Sequence, residues 1–227
     1  MLLNNLARVL LELGRIDEAA NIADRAHEKA VRMGAEMVVN QNLHARAGIY
    51  LESGDFVRAA AMIDEVEPRW KRMVPADHIS FAVVASLRSQ LALAQGNFPV
   101  AIAEADRALE LAERSAQAAD RAPQMRLRRA QVEVKMGRLD AAQADAQKTL
   151  VLFQKSAGPG SVSSDIGLAY LTLGQVHAAQ GKPEEARAAF GAALEHLEST
   201  LGTDHPKTRE AAQGAASGLD SRAAKSR

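Results

Sequence analysis

Six histidines, His27, His44, His78, His177, His196 and His205, are the residues of this chain best able to hold a metal or move a proton near neutral pH. No two of them stand four residues apart on one helix, and no carboxylate spacing completes a ligand set, so a metal site is not expected. The chain has no cysteine, which removes thiolate nucleophiles, zinc knuckles and disulfides together. No GxSxG, phosphate-binding glycine loop, GxGxxG or paired catalytic carboxylates occur, and no strand pattern would position them. The expectation is a protein that is not an enzyme and carries no cofactor.

The remaining reactive feature is positive charge. Arg121, Arg126, Arg128, Arg129, Lys135 and Arg138 crowd one segment against the single acid Glu133; this reads either as a site for an acidic partner segment or as a solvated basic face, and the second reading is favoured. Arg46, Arg88 and Arg129 form a column, each eight residues before a glycine. They read either as a ladder for acidic groups or as stems packed between helices with their heads on carboxylates, and the second reading is favoured. Trp70, in Pro68-Arg-Trp-Lys-Arg, reads as packing at a helix end rather than as a partner anchor.

The elements that carry these residues follow from a repeat. Gly14, Gly54, Gly96, Gly137 and Gly181 are spaced by 40, 42, 41 and 44 residues. Five residues after each stands an alanine (Ala19, Ala59, Ala101, Ala142, Ala186), and seven before stands a small residue (Ala7, Ala47, Ser89, Ala130, Gly174). Two small columns locked to one glycine are what antiparallel helices need where their axes approach to about 8–10 Å. Apolar residues at helical spacing flank each glycine, as in Leu3, Leu6, Leu10 and Leu13 before Gly14.

Five hairpins are therefore predicted. After the first, which turns at Gly14, the spans are Glu36 to Ser53 with Phe56 to Met73, Ile79 to Gln95 with Phe98 to Ala116, Pro123 to Met136 with Leu139 to Lys155, and Ser164 to Gln180 with Pro183 to Leu201. Ile16, Phe56, Phe98, Leu139 and Pro183 follow the glycines by two and are placed to plug the hairpin ends. Pro68 should kink or stop its helix. The Ser156 to Ser164 stretch reads as a long flexible connection. Gly202 should end the tenth helix, with Thr203 or Asp204 capping an eleventh that starts at Pro206 and His205 read as part of that cap. The predicted organisation is one array over residues 1–216, with a disordered tail at 217–227.

Composition narrows function. Lys plus Arg and Asp plus Glu both number 28, so no global field favours nucleic acid or anionic membrane. No apolar run approaches the roughly 18 residues of a membrane span. A cytoplasmic protein without nucleic-acid or membrane partners is the expectation. Leu2, Leu6 and Val9 would leave an apolar face on the first hairpin, so self-association there, or an upstream segment, is expected to cover it.

The fifth unit, AYLTLGQVHAAQGKPEEARAAFGAALEHL, closely resembles the tetratricopeptide repeat: Leu173-Gly174, Gly181, Ala186, Phe190 and Ala193 stand where that family keeps its leucine–glycine pair, turn glycine, alanine, aromatic and final alanine. The other units match through the small, glycine and alanine columns. The unit length and the following LGTDHPKTREA resemble the longer repeats of kinesin light chains and of bacterial regulators, including the C-terminal regions of Ser/Thr kinases. The resemblance implies an all-α, right-handed superhelical solenoid of antiparallel helix hairpins whose first helices line a groove. It places Asn4, Asn5, Arg8, Glu12, His44, Glu52, Ser86, Gln90, Arg128, Gln131, Lys135, Thr172 and Gln175 on the groove. Partner binding is assigned to Arg8, His44, Gln90, Arg128, Gln131 and Lys135, which would hydrogen-bond an extended peptide or a protein partner. The implied function is a non-catalytic interaction scaffold in a bacterial signalling protein; the alternative is a peptide-sensing module that controls an attached output domain.

Overall fold

The computed structural model of the chain describes residues 2–115 and 120–217, and everything described as regular structure is helical. The eleven helices among the described residues are α1 (Leu2–Glu12), α2 (Ile16–Arg32), α3 (Glu36–Glu52), α4 (Phe56–Met73), α5 (Ile79–Ala94), α6 (Phe98–Arg114), α7 (Ala122–Lys135), α8 (Leu139–Ala157), α9 (Ser164–Ala179), α10 (Pro183–Leu201) and α11 (Pro206–Ala216). These bounds lie within a residue or two of the predicted ones. Residues 116–119 and 218–227, and with them the end assigned to the sixth helix and nearly all of the predicted tail, lie outside the described residues.

The helices group into two compact units, Met1–Ala122 and Pro123–Arg227. In the first, α1/α2, α3/α4 and α5/α6 are hairpins, and α2 packs on α3 as α4 packs on α5. In the second, α8 packs on α9, α9/α10 is a hairpin, and α11 packs on both α10 and α9. Each is a stack of antiparallel helices.

The repeat columns explain the hairpins. Ala19, Ala59, Ala101 and Ala142 are fully buried and Ala186 nearly so, as are Ala7, Ala47, Ser89 and Ala130 opposite them. The turn glycines hold the left-handed backbone that stops each first helix, with φ of 77° at Gly54 and 74° at Gly96. The following residue starts the second helix: the Asp55 carboxylate accepts the Arg58 N–H at 3.0 Å and the Asn97 side chain accepts the Val100 N–H at 3.4 Å. The hairpin-end plugs are partial. Ile16 packs on the Ala7–Leu10–Ala19–Ala23 cluster, but Phe98 and Pro183 are exposed.

Three local expectations are corrected. Pro68 does not stop α4, which continues to Met73. Its last turn is held from outside: Trp70 is 2% exposed, donates to His44 of α3 and stacks on His78. Such tertiary contacts offset the roughly 3 kcal/mol that a helix-interior proline costs. In the α11 cap the expected part of His205 holds, its Nδ1 accepting the Lys207 N–H at 3.1 Å, but His205 itself is the capping residue rather than Thr203 or Asp204. The 158–163 connection is tied down instead of loose. The Ser161 N–H reaches the Gly158 carbonyl around a turn with Pro159 and Gly160 at its centre, and the Ser163 N–H donates to His196.

Candidate functional site

The arginine column is an ion-pair system between helices. Arg46 on α3 meets Asp24 on α2 at 2.8 Å, and Arg88 on α5 meets Glu67 at 2.7 Å and Asp64 at 3.3 Å, both on α4. Each arginine thus bridges from the first helix of a hairpin to the second helix of the hairpin before it. Arg129 differs. It grips Asp145 on α8 with Nε and Nη2, at 2.7 and 3.0 Å, and Arg126 adds a third contact at 3.3 Å. The favoured reading of the column, stems packed and heads on carboxylates, describes what these residues do.

These pairings and the exposure of each side chain sort the basic residues of α7. Arg126 is buried and Arg129 is committed to Asp145. The one acid of α7, Glu133, is also buried. Arg128 and Lys135 are exposed, and Gln131 lies half-buried between them. Spacings of three and four put this trio on a single helical stripe. Arg128 reaches Gln131 at 3.5 Å along that stripe. Arg121, seven residues before Arg128, and Arg138 after the helix are exposed as well.

In the first unit, Arg8 is exposed on α1 and pairs with Glu12 one turn on. Gln90 is half-buried on α5, its amide donating to the Ser86 carbonyl at 3.2 Å. His44 is elsewhere. Its Nε2 accepts the Trp70 indole N–H at 3.1 Å, and Trp70 also stacks on His78 with centroids 5.8 Å apart. Burial lowers the His44 pKa to about 4, so the ring is neutral and spent on Trp70. Among the other groove assignments, Ser86 is buried, and Thr172 is buried with its hydroxyl on the Leu168 carbonyl. Gln175 donates to Glu210 of α11, so α11 sits against that stretch of α9.

The reason for the misplacement of His44 is angular. Counting back from the turn glycine, Arg8, Gln90 and Gln131 stand at the sixth position, Arg128 at the ninth and Lys135 at the second, whereas His44 stands at the tenth. One residue is about 100° around a helix. On α3 the open stripe is Gln41, Ala45, Gly48 and Glu52, with Gly48 facing empty space where a side chain would begin. The signal was present: the tenth position holds Leu127 and Leu171 in later repeats, and both are buried.

Among the described residues no three His, Asp or Glu side chains cluster as metal ligands, and no helix is long and apolar enough to cross a membrane. Leu2 is 88% exposed, Leu6 and Val9 are exposed with it on α1, and Leu13 is exposed in the turn that follows.

Three family models match the sequence, each described as a tetratricopeptide repeat, over residues 1–33, 87–161 and 165–223. No curated protein sequence matches. Among solved structures, BtubC (BKLC) from P. vanneervenii is similar over 93% of this chain and 92% of its own, with 18% identity and a TM-score of 0.64. A thermophilic TPR protein of Thermus thermophilus is similar over 93% and 96%, with 19% identity and a TM-score of 0.64. A Podospora anserina putative kinesin light chain with nearly identical TPR-like repeats aligns over 87% and 94%, with 14% identity and a TM-score of 0.57. At these identities the likeness is one of fold.

Proposed function

The chain belongs to the tetratricopeptide-repeat family, and from that premise we propose that it is a non-catalytic scaffold whose α7 face takes an acidic segment of a partner protein. The observation that carries the reading is the division of charge on α7. Its acid is buried, two of its arginines are engaged with Asp145, and the open stripe presents Arg128, Gln131 and Lys135 to solvent. Such a face attracts carboxylates, and glutamine between two cations supplies a neutral donor and acceptor for a peptide main chain. The first unit offers a different surface: Arg8 and Glu12 neutralise each other, and Glu52 on α3 adds negative charge. An acidic partner would therefore prefer α7.

Site-specific photo-crosslinking tests this with a Glu-rich model peptide as probe. A photoreactive residue at Gln131 should capture the peptide, and one at Lys148, exposed on α8, should not. Equal capture at both positions, or capture at Lys148 alone, removes the α7 face from the proposal.

A second reading rests on α1. In register with the turn glycines, Leu2 and Val9 correspond to Asn42 and Ile49, which are buried in α3, and Ile49 packs there on Ala7, Leu10, Ala19 and Ala23. The same positions on α1 are apolar and exposed, a surface suited to self-association. Leu6→Glu should shift sedimentation toward the monomer; sedimentation of the unaltered chain as a monomer at high concentration would count against this reading.

A further inference from the structure

We propose that a cleft of about 680 Å³ beside the α8–α9 connection binds a small zwitterion with an apolar body, a short peptide with free ends or a free amino acid. The cleft lies wholly within the second unit, at the C-terminal end of α8, and is independent of the basic stripe on α7. Its volume is in the range of small-molecule sites, roughly 300–1,000 Å³.

Its walls are fixed. Gln154 donates to the Tyr170 hydroxyl at 3.2 Å, Tyr170 stacks on His196 with centroids 6.0 Å apart, and His196 Nδ1 accepts the Ser163 N–H at 3.3 Å. The last contact sets the tautomer: with Nδ1 accepting, the neutral ring carries its proton on Nε2 as a donor. The Pro159–Gly160 turn closes the other side, its Ser161 hydroxyl bonded to the Ala157 carbonyl at 2.5 Å. A preorganised wall lowers the ordering cost of binding.

Two opposite charges line this one cleft, Lys155 from α8 and Glu195 from α10. Both are exposed, and among the described residues no ion pair within 4.0 Å joins them or engages either one. Two unneutralised charges of opposite sign lining one cleft match a ligand with a carboxylate at one end and an ammonium at the other. Lys155, with the His196 N–H, suits the carboxylate, and Glu195 suits the ammonium. Pro159 and Val162, exposed in the connection, and Ile166 beneath it supply an apolar surface for the body of the ligand.

The test is calorimetric titration of the full chain with Leu-Leu, its N-acetyl form, its amide and free leucine, with the His196 ring resonances followed in parallel. Leu-Leu should bind saturably and shift those resonances, and capping either end should weaken binding by about tenfold, the scale of one charge-assisted hydrogen bond. Lys155→Gln should abolish the difference between the acid and the amide, and Glu195→Gln that between the free and acetylated amine. Both side chains are exposed, so helicity should not change. Tighter binding of Leu-Leu identifies a peptide site, and tighter binding of leucine an amino-acid site. No saturable shift at millimolar Leu-Leu and leucine, or equal affinity for capped and uncapped forms, overturns the proposal.

Discussion

Glu67 and Arg88 lie 2.7 Å apart across the seam between two hairpins, the carboxylate buried and the guanidinium about one-third exposed. Lys71 at 3.2 Å and Arg107 at 3.7 Å approach the same carboxylate. The two sides of this knot are unequal. Arg88→Met removes the shortest ion pair of a buried anion, leaving it the longer contacts to Lys71 and Arg107, and should destabilise by about 1–3 kcal/mol, whereas Glu67→Met replaces that anion by an apolar side chain of similar volume and frees cations that can reach water, so it should be near neutral. Urea unfolding of the two variants checks the order; a greater loss for Glu67→Met contradicts it.

His44 gives stability a pH dependence. Its folded pKa of about 4 lies below the ordinary 6.5, so the unfolded chain binds a proton that the folded one refuses. This contribution is complete above about pH 6.5 and is lost as pH falls to about 4, amounting to about 3 kcal/mol over the window. Trp70, the sole tryptophan and the partner of His44, reports unfolding by fluorescence. His44→Gln retains an acceptor without titrating and should flatten the curve between those limits; an unchanged pH profile in that variant would assign the dependence to other groups.

Two helical glycines make opposite predictions. A Cβ at Gly48 meets nothing within 4 Å, so Gly48→Ala should stabilise by about 1 kcal/mol through helix propensity. A Cβ at Gly174 would stand 2.6 Å from the Phe190 ring, so Gly174→Ala should destabilise by about 1–3 kcal/mol despite the same propensity gain. Thermal melts of both variants decide it, and shifts of the same sign would contradict the packing.

Ala101 tests the hairpin crossing itself. It is fully buried, and its carbonyl accepts the Ser89 hydroxyl at 2.8 Å from the facing helix. Ala101→Leu should overpack this approach and cost about 1–3 kcal/mol. Melting at the unaltered temperature would show that α5 and α6 do not need a small residue there.

The helices were legible because their boundaries are written locally. A turn glycine, the small residues locked to it and a 3.6-residue apolar period each act within a few residues, and together they placed α3 to α5 and α7 to α11 within a residue or two. The candidate binding surface was harder to read. Arg128, Gln131 and Lys135 fell on an open stripe, but His44, one position off, turned inward to Trp70, because a shift invisible to period counting is a large rotation on a helix. The arginine column was visible, and part of its acid column is written beside it: Asp24 and Asp64 both stand ten residues after their turn glycines, whereas Glu67 and Asp145 stand off that position and show themselves as partners only in the structure. The α8–α9 cleft was hidden for another reason. Ser163 and His196 meet across 33 residues, and composition alone made their loop look loose.

The central claim, that the open stripe of α7 receives an acidic partner segment, is tested most directly by calorimetric titration of a Glu-rich peptide into the unaltered chain and into Arg128→Ala/Lys135→Ala. Both side chains are exposed, so the double variant should keep its helicity. The account predicts saturable binding to the unaltered chain that weakens as salt rises, and at least about a tenfold loss in the double variant, as expected for two contacts worth roughly 1 kcal/mol each. Equal affinity for the two proteins, with helicity intact, would contradict it.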